Sequence, residues 1–238
     1  MQKTLKLSVI IPAYNEESTI SDIIERVLAV DLPKEIIVVN DCSTDKTREI
    51  LDTYAANDQI RVLHHENNKG KGAAIRTAQE AVAGDLVIIQ DADLEYDPAE
   101  YPKLYKFFVE KDAHAVYGSR YSGNEIMVDS FAHYYGNKLL TFFSNFLSNL
   151  HLTDMETCYK MIRADIFKKL PIECECFGFE PEITAKLAKM KARIFEVPIY
   201  YEPRVYADGK KIGWRDGFKA IWFIIRFNLL WKGTLPRI

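Results

Sequence analysis

Cysteine is scarce and irregularly spaced. Four residues (Cys42, Cys158, Cys174, Cys176) among 238 exclude a disulfide-stapled scaffold. The close pair Cys174/Cys176 lacks the second His or Cys pair of a structural zinc site. A dominant charge sign is missing too: 31 Lys and Arg against 34 Asp and Glu leave a net charge of −3, without the basic excess that nucleic-acid binding demands. No apolar run is uninterrupted enough to span a bilayer, and only a short Lys-bearing lead precedes the first strand-like residues at Leu7. Gly-x-Ser-x-Gly, His-Glu-x-x-His, Gly-x-Gly-x-x-Gly and the P-loop pattern are all absent, which removes the elbow hydrolases, zinc peptidases, dinucleotide folds and P-loop NTPases. What remains is an ordinary globular chain, 48% apolar and 27% charged, with a cytoplasmic enzyme as the expectation.

The first half alternates strand and helix signals. Leu7–Ile11, Ile36–Val39 and Leu86–Ile89 are continuously apolar, as strands buried on both faces of a parallel sheet must be. Helix-period stretches lie between them at about Thr19–Val30, Lys46–Ala56 and Gly72–Ala83, with Ser18 and Asp45 as N-cap candidates. This order predicts an α/β fold, an open Rossmann-like sheet flanked by helices. Polar clusters follow the strands: Tyr14-Asn15-Glu16, Asn40-Asp41 and Gln90-Asp91-Ala92-Asp93. In such a sheet the carboxyl ends of the strands face the ligand crevice, so the three clusters converge there.

Asp91 and Asp93 repel each other when both are ionised, and a hard divalent cation would relieve that. An Asp-rich turn reads the same way. Asn68-Lys69-Gly70-Lys71-Gly72 has the glycines for close backbone approach at a helix start, where anions are favoured, and a tight turn fits it equally. His64-His65 read as surface or capping residues. The stretch from Arg204 to Ile238 stands apart, with six more positive than negative charges and all three tryptophans. Its helix is either an interfacial one, cationic with aromatic anchors, or a core-packing one. A second aromatic helix is expected at about Phe131–Leu152.

Taken in order, Pro12-Ala13-Tyr14-Asn15-Glu16, Asn40-Asp41-Cys42-Ser43-Thr44-Asp45, Asn68-Lys69-Gly70-Lys71-Gly72, Asp91-Ala92-Asp93 and Gly118-Ser119-Arg120-Tyr121 resemble family 2 glycosyltransferases of the GT-A fold. The branch is that of dolichyl-phosphate mannosyltransferase and polyprenyl-phosphate glycosyltransferases. The resemblance implies a catalytic domain over residues 1–213, with a nucleotide-sugar half (1–120) and an acceptor half (121–213), followed by the amphipathic helix at 214–238. It implies an inverting transfer from a UDP- or GDP-sugar, with Mg²⁺ or Mn²⁺, to a polyprenyl or dolichyl phosphate at the inner face of a membrane. Pro12, Tyr14, Glu16 and Asp41 would hold base and ribose, and Lys71 belongs with the substrate-binding residues. Asp91, Asp93 and Glu95 would hold the metal, although the branch often has Gln at the third position. Arg120, Arg204 and Lys211 would stabilise the leaving diphosphate. Asp154-Met155-Glu156-Thr157-Cys158-Tyr159-Lys160 resembles a branch segment in which Gly stands at the place of Cys158. The branch's acceptor loop commonly has an Arg, to which His133 is nearest here.

A phosphate acceptor is already anionic and needs no strong base, whereas an alcohol would need one, with Asp154 the candidate. Orienting the acceptor and capping a turn are the alternative roles for Asp154. Transfer to a sugar hydroxyl, nucleotidyl transfer and silent nucleotide-sugar binding are the competing functions.

Overall fold

Continuous apolar runs need cover on both faces, and the computed structural model puts them at the centre of one sheet. It describes residues 4–123, 130–175, 178–203 and 214–238, without the side chains at 214–216. The strands are β1 (Leu7–Ala13), β2 (Lys34–Asn40), β3 (Ile60–His64), β4 (Leu86–Ile89), β5 (Ala115–Ser119), β6 (Lys160–Arg163) and β7 (Ile194–Pro198). They run in the order β3-β2-β1-β4-β6-β5-β7. The first four positions are parallel, with Val9 level with Ile36 and Ile88. Every side chain of Leu7–Ile11 and Leu86–Ile89 is buried. Helices α1 (Ile20–Ala29), α2 (Thr47–Asp52), α3 (Lys71–Ala81) and α4 (Tyr101–Glu110) make the crossovers. Thr19, not Ser18, stands at the start of α1, and Lys46, not Asp45, at the start of α2, although Asp45 still accepts the Thr47 N–H (3.0 Å) from one residue further out.

The sheet is not wholly parallel. β6 lies antiparallel between β4 and β5, so it begins at the edge where its neighbours end. Residues 154–159 therefore arrive at the carboxyl edge of β1, β2 and β4. A parallel β6 would have put them at the opposite edge.

The later helices are α5 (Phe131–Ser148), α6 (Ala164–Phe167), α7 (Phe179–Lys189) and α8 (Trp214–Ile225), which runs on into a π-helical turn at Arg226–Leu230. α5, α7 and α8 pack on one another. α8 and its continuation turn Ala220, Ile224 and Phe227 inward, the last onto Cys174 and Ala185. They leave Phe218, Trp222, Ile225 and Leu229 exposed, a single stripe at helical spacing. The core-packing reading of this segment thus describes its inner face.

α5 is inverted. The residues it buries are all polar: Asn137, Thr141 and Ser144. Its exposed stripe is Phe131, Tyr135, Leu139, Phe142 and Phe146. Among the described residues no helix is long and apolar enough to cross a membrane.

Within α7 a fully buried ion pair, Lys186–Glu182 at 2.5 Å, fixes the preceding loop. Glu182 accepts the N–H groups of Glu173 and Cys174, each at 2.8 Å, and Lys186 donates to the Pro171 carbonyl. That loop leans on Gly72, where a β-carbon would lie 1.8 Å from the Cys174 carbonyl oxygen. Removing one partner of a buried pair strands the other charge. Glu182→Ala and Glu182→Gln both leave the Lys186 charge stranded, so each should cost about 3–5 kcal/mol in urea unfolding. A loss for Glu182→Gln far smaller than for Glu182→Ala would show that packing, not charge, is what Glu182 supplies.

Candidate active site

Each of the three central parallel strands ends in a backbone turn that L-residues seldom adopt. Asn15 follows β1, Cys42 follows β2 and Leu94 follows β4, with φ of 55°, 60° and 63°. Each costs on the order of 1–2 kcal/mol, and such strain gathers where side chains must be aimed. The loops then lock together. Asn15 Oδ1 accepts the Thr44 N–H (2.8 Å) and the Glu16 N–H donates to Thr47 Oγ1 (2.8 Å). Pro12 and Glu16 are half-buried beside them, and Tyr14 presents an exposed ring.

Asp41 is buried, and both carboxylate oxygens are engaged. Oδ1 meets His65 Nδ1 (2.7 Å) and the Lys69 N–H (2.9 Å), and Oδ2 accepts the Gly70 N–H (2.7 Å). His65 Nε2 meets Thr77 Oγ1 at 2.9 Å. His65 is therefore interior, contrary to its reading as a surface or capping residue. Of the two readings of the glycine-rich turn, the tight turn is the one its hydrogen bonds match. Its N–H groups face Asp41 and, from Gly72, the Glu175 carbonyl (3.1 Å), so its close approach serves the chain itself. Gly70, at φ 89°, launches α3 with Lys71 in front.

Lys71 Nζ lies 2.8 Å from Asp91 and 3.0 Å from Glu180. Burial pulls its pKa down, but Asp91 and Glu180 outweigh burial and hold it well above the usual lysine value. Glu180, which burial alone would push up, is kept low by Lys71. Asp93, two residues on, is buried. Glu95 is not gathered with this pair. Its Oε2 accepts the Tyr201 hydroxyl (3.0 Å), and among the described residues no three acidic, His or Cys side chains form a metal cluster. Two hard carboxylates still suit Mg²⁺ or Mn²⁺ when phosphate oxygens complete the shell.

Arg120, just past β5, forms a two-point pair with Asp154 (Nε 2.7 Å, Nη2 2.8 Å). Its guanidinium lies over the Tyr121 and Tyr201 rings, 5.3 Å from each. Nη2 also reaches Asn137 Oδ1 (3.4 Å). Burial opposes ionisation of Asp154, yet Arg120 prevails and keeps its carboxyl below the usual range. A carboxylate so held is a poor proton acceptor. The two-point contact makes Asp154 a clamp on Arg120.

Sequence reasoning missed Glu156. It is half-buried, and its Oε1 has no hydrogen-bond partner. Burial and then the neighbouring Glu180 push its pKa up to about 7, against the pull of Lys160. Cys158 needs no glycine-like backbone: its φ is ordinary, its N–H donates to Tyr96 Oη (3.1 Å), and burial drives its thiol pKa up. Asn137 and Tyr201 were missed as well, since neither carries a motif. Exposed His133 sits one turn before Asn137, the α5 residue that meets Arg120. Arg204 and Lys211 lie outside the described residues.

The Glu156 carboxyl gives a pH signature. Its ordinary value is 4.5 and its folded value about 7, so the folded chain holds a proton that the unfolded chain releases between them. The associated stability is complete below the lower value and lost as pH rises through the upper. Glu156→Gln stays neutral throughout, so its Tm relative to the parent should rise between about pH 5 and about pH 8. A constant difference would place the proton elsewhere.

The sequence profile described as Glycosyl transferase family 2 matches residues 8–171. The low-salt glycan biosynthesis hexosyltransferase Agl6 of Haloferax volcanii is 32% identical over 225 residues, covering 92% of this chain and 53% of that protein. The undecaprenyl-phosphate mannosyltransferase of Micrococcus luteus is 28% identical, covering 98% of this chain and 99% of that one. The chain thus spans about half of the first relative and nearly all of the second. Among solved structures, glucosyl-3-phosphoglycerate synthase from Mycobacterium tuberculosis, in complex with Mn²⁺, UDP and glucosyl-3-phosphoglycerate, superposes with a TM-score of 0.73 at 18% identity, covering 94% of this chain and 80% of that one. Mannosyltransferase PcManGT from Pyrobaculum calidifontis, in complex with GDP-Man and Mn²⁺, gives 0.69 at 18% identity, covering 98% and 66%. These likenesses are of fold, and the fold is the GT-A arrangement. The profile match extends over well more than half of the residues, and on that ground the chain belongs to glycosyl transferase family 2.

Proposed function

We propose that this protein transfers a sugar from a nucleoside-diphosphate sugar to a polyprenyl phosphate, with inversion at the anomeric carbon. The observation that carries the reading is the sheet edge that gathers Asp91 and Asp93 with two half-buried cations, Lys71 paired with Asp91 and Arg120 paired with Asp154. Cleaving a sugar–diphosphate bond leaves charge on the departing diphosphate, and preorganised cations stabilise that charge more in the transition state than in the substrate. Asp91 and Asp93 would hold Mg²⁺ or Mn²⁺, which supplies Lewis-acid neutralisation of the diphosphate. Mn²⁺ accompanies UDP or GDP-Man in the two structures of like fold.

Tyr14 offers its ring to the base, with Pro12 and Glu16 beside it. Asp41 acts at one remove by fixing the turn before Lys71. Arg120, aimed by Asp154, meets the leaving group, and Arg204 and Lys211 add positive charge to it. Glu95 acts through Tyr201, which flanks Arg120. A lipid phosphate attacks directly and needs no base. It resides in a membrane, so the enzyme works at a membrane surface, on its cytoplasmic side.

A second reading, transfer to a sugar hydroxyl, is favoured by one observation. The unpartnered Glu156 oxygen, with its carboxyl titrating at about 7, is a suitable acceptor for a hydroxyl proton.

Purified protein incubated with UDP- and GDP-sugars, Mn²⁺ and detergent-solubilised polyprenyl phosphate should release nucleoside diphosphate only when the lipid phosphate is present. Release with a sugar alcohol alone would favour the hydroxyl reading. Pyrophosphate release would mean nucleotidyl transfer, and no release would mean a binding protein. Asp93→Ala should fold with an unchanged Tm and lose about 100-fold or more in kcat/KM. Arg120→Lys, which cannot keep the two-point pair with Asp154, should lower kcat more than it raises KM.

A further inference from the structure

Most amphipathic helices bury their apolar face, because water expels it. α5 does the reverse: Asn137, Thr141 and Ser144 point inward and the Phe131–Phe146 stripe points out. α8 packs beside it and carries a second exposed stripe, from Phe218 through Trp222 to Leu229. Apolar patches of this extent on a folded surface mark an interaction face.

Charge identifies the occupant. Residues 131–148 and 217–232 contain Lys138, Lys219, Arg226 and Lys232 and no Asp or Glu. Arg226 is already paired with Glu173 (3.2 Å), but a two-fold dimer through this face would set its lysines against their own copies, with no acid on either helix segment to receive them. An anionic bilayer supplies negative headgroups for the cations and an acyl boundary for the rings.

We infer that α5 and α8 together form a docking face for an anionic lipid bilayer, lying in the headgroup layer with both aromatic stripes inserted. The inference rests on the reading that the acceptor is a lipid phosphate, and it gives that reading a geometry. The inner side of α5 meets Arg120 through Asn137 (3.4 Å). One helix diameter, about 10 Å, therefore separates the inserted stripe from the guanidinium proposed to meet the reacting phosphates. A polyprenyl phosphate keeps its chain in the acyl layer and its phosphate at the interface, within reach of the site without leaving the membrane.

The test uses the full chain with vesicles of phosphatidylcholine containing phosphatidylglycerol, and with phosphatidylcholine alone. Flotation should show binding to the anionic vesicles that weakens as salt is raised. Phe142→Glu and Trp222→Glu, at exposed positions on the two helices, should each keep the parent Tm and lower vesicle partitioning by about tenfold or more. Both should retain transfer to detergent-solubilised acceptor and lose transfer to acceptor embedded in vesicles. No flotation of the parent protein, or a concentration-dependent dimer that either variant dissolves, would overturn the docking face. If detergent-solubilised transfer persisted in that case, the proposed reaction would stand without it. Flotation with no transfer to any polyprenyl phosphate would overturn the reaction and leave the docking face in place.

Discussion

Compensation of crowded negative charge at one sheet edge is what the rest of the site depends on. Asp91, Asp154, Glu156 and Glu180 come together within the reach of Lys71, Arg120 and Lys160, with buried Asp93 two residues beyond Asp91. Carboxylates in that density stay ionised only beside buried cations. Each cation arrives on a different element: Lys71 on the first turn of α3, Arg120 after β5 and Lys160 at the start of β6. The helix packing, the Gly72 contact and the Lys186–Glu182 pair keep those elements in register. Loss of any one cation unbalances the others, so the site and the fold around it share their stability.

The fold was largely legible. Strands buried on both faces leave continuous apolar runs, and Leu7–Ile11, Ile36–Val39 and Leu86–Ile89 occur where they were read, with polar clusters at one edge. The antiparallel direction of β6 was not legible. Its four residues, Lys160–Arg163, are too few for a period, and strand direction depends on connections that local pattern does not encode. The motif residues were recognised, but their partners were not. His65 looks like any surface histidine until Asp41 is seen beside it. Glu156 has no sequence mark, because its titration comes from Glu180 and Lys160, distant in sequence and near in space. The sequence identified Asp154 as an acid of consequence, yet only the structure shows its two-point contact with Arg120.

The aromatic residues of α5 show why composition alone divides so poorly between core and surface. The sequence predicts an aromatic helix here without saying which way it faces, and the water-shunning face is the outer one. What turned the helix over is the polar stripe. Asn137 serves Arg120, and Thr141 accepts the Met155 N–H at 3.1 Å, next to the loop that carries Asp154. Local preference for burial yielded to a polar requirement at the site.

Strand order has a consequence for the chain as it is made. Among the described residues β5 pairs only with β6 and β7, and the β4 edge away from β1 is covered by β6. When the ribosome has released the first 120 residues, the four parallel strands can zip together. β5 then has no ladder to join, and one side of β4 lies bare. Both wait until about forty more residues have emerged, and β5 waits longer still for β7. An open strand edge in a nascent chain is a template for wrong pairing. The two sequence halves are therefore interleaved, and a polypeptide ending near residue 120 would carry an unfinished sheet instead of a nucleotide-binding module.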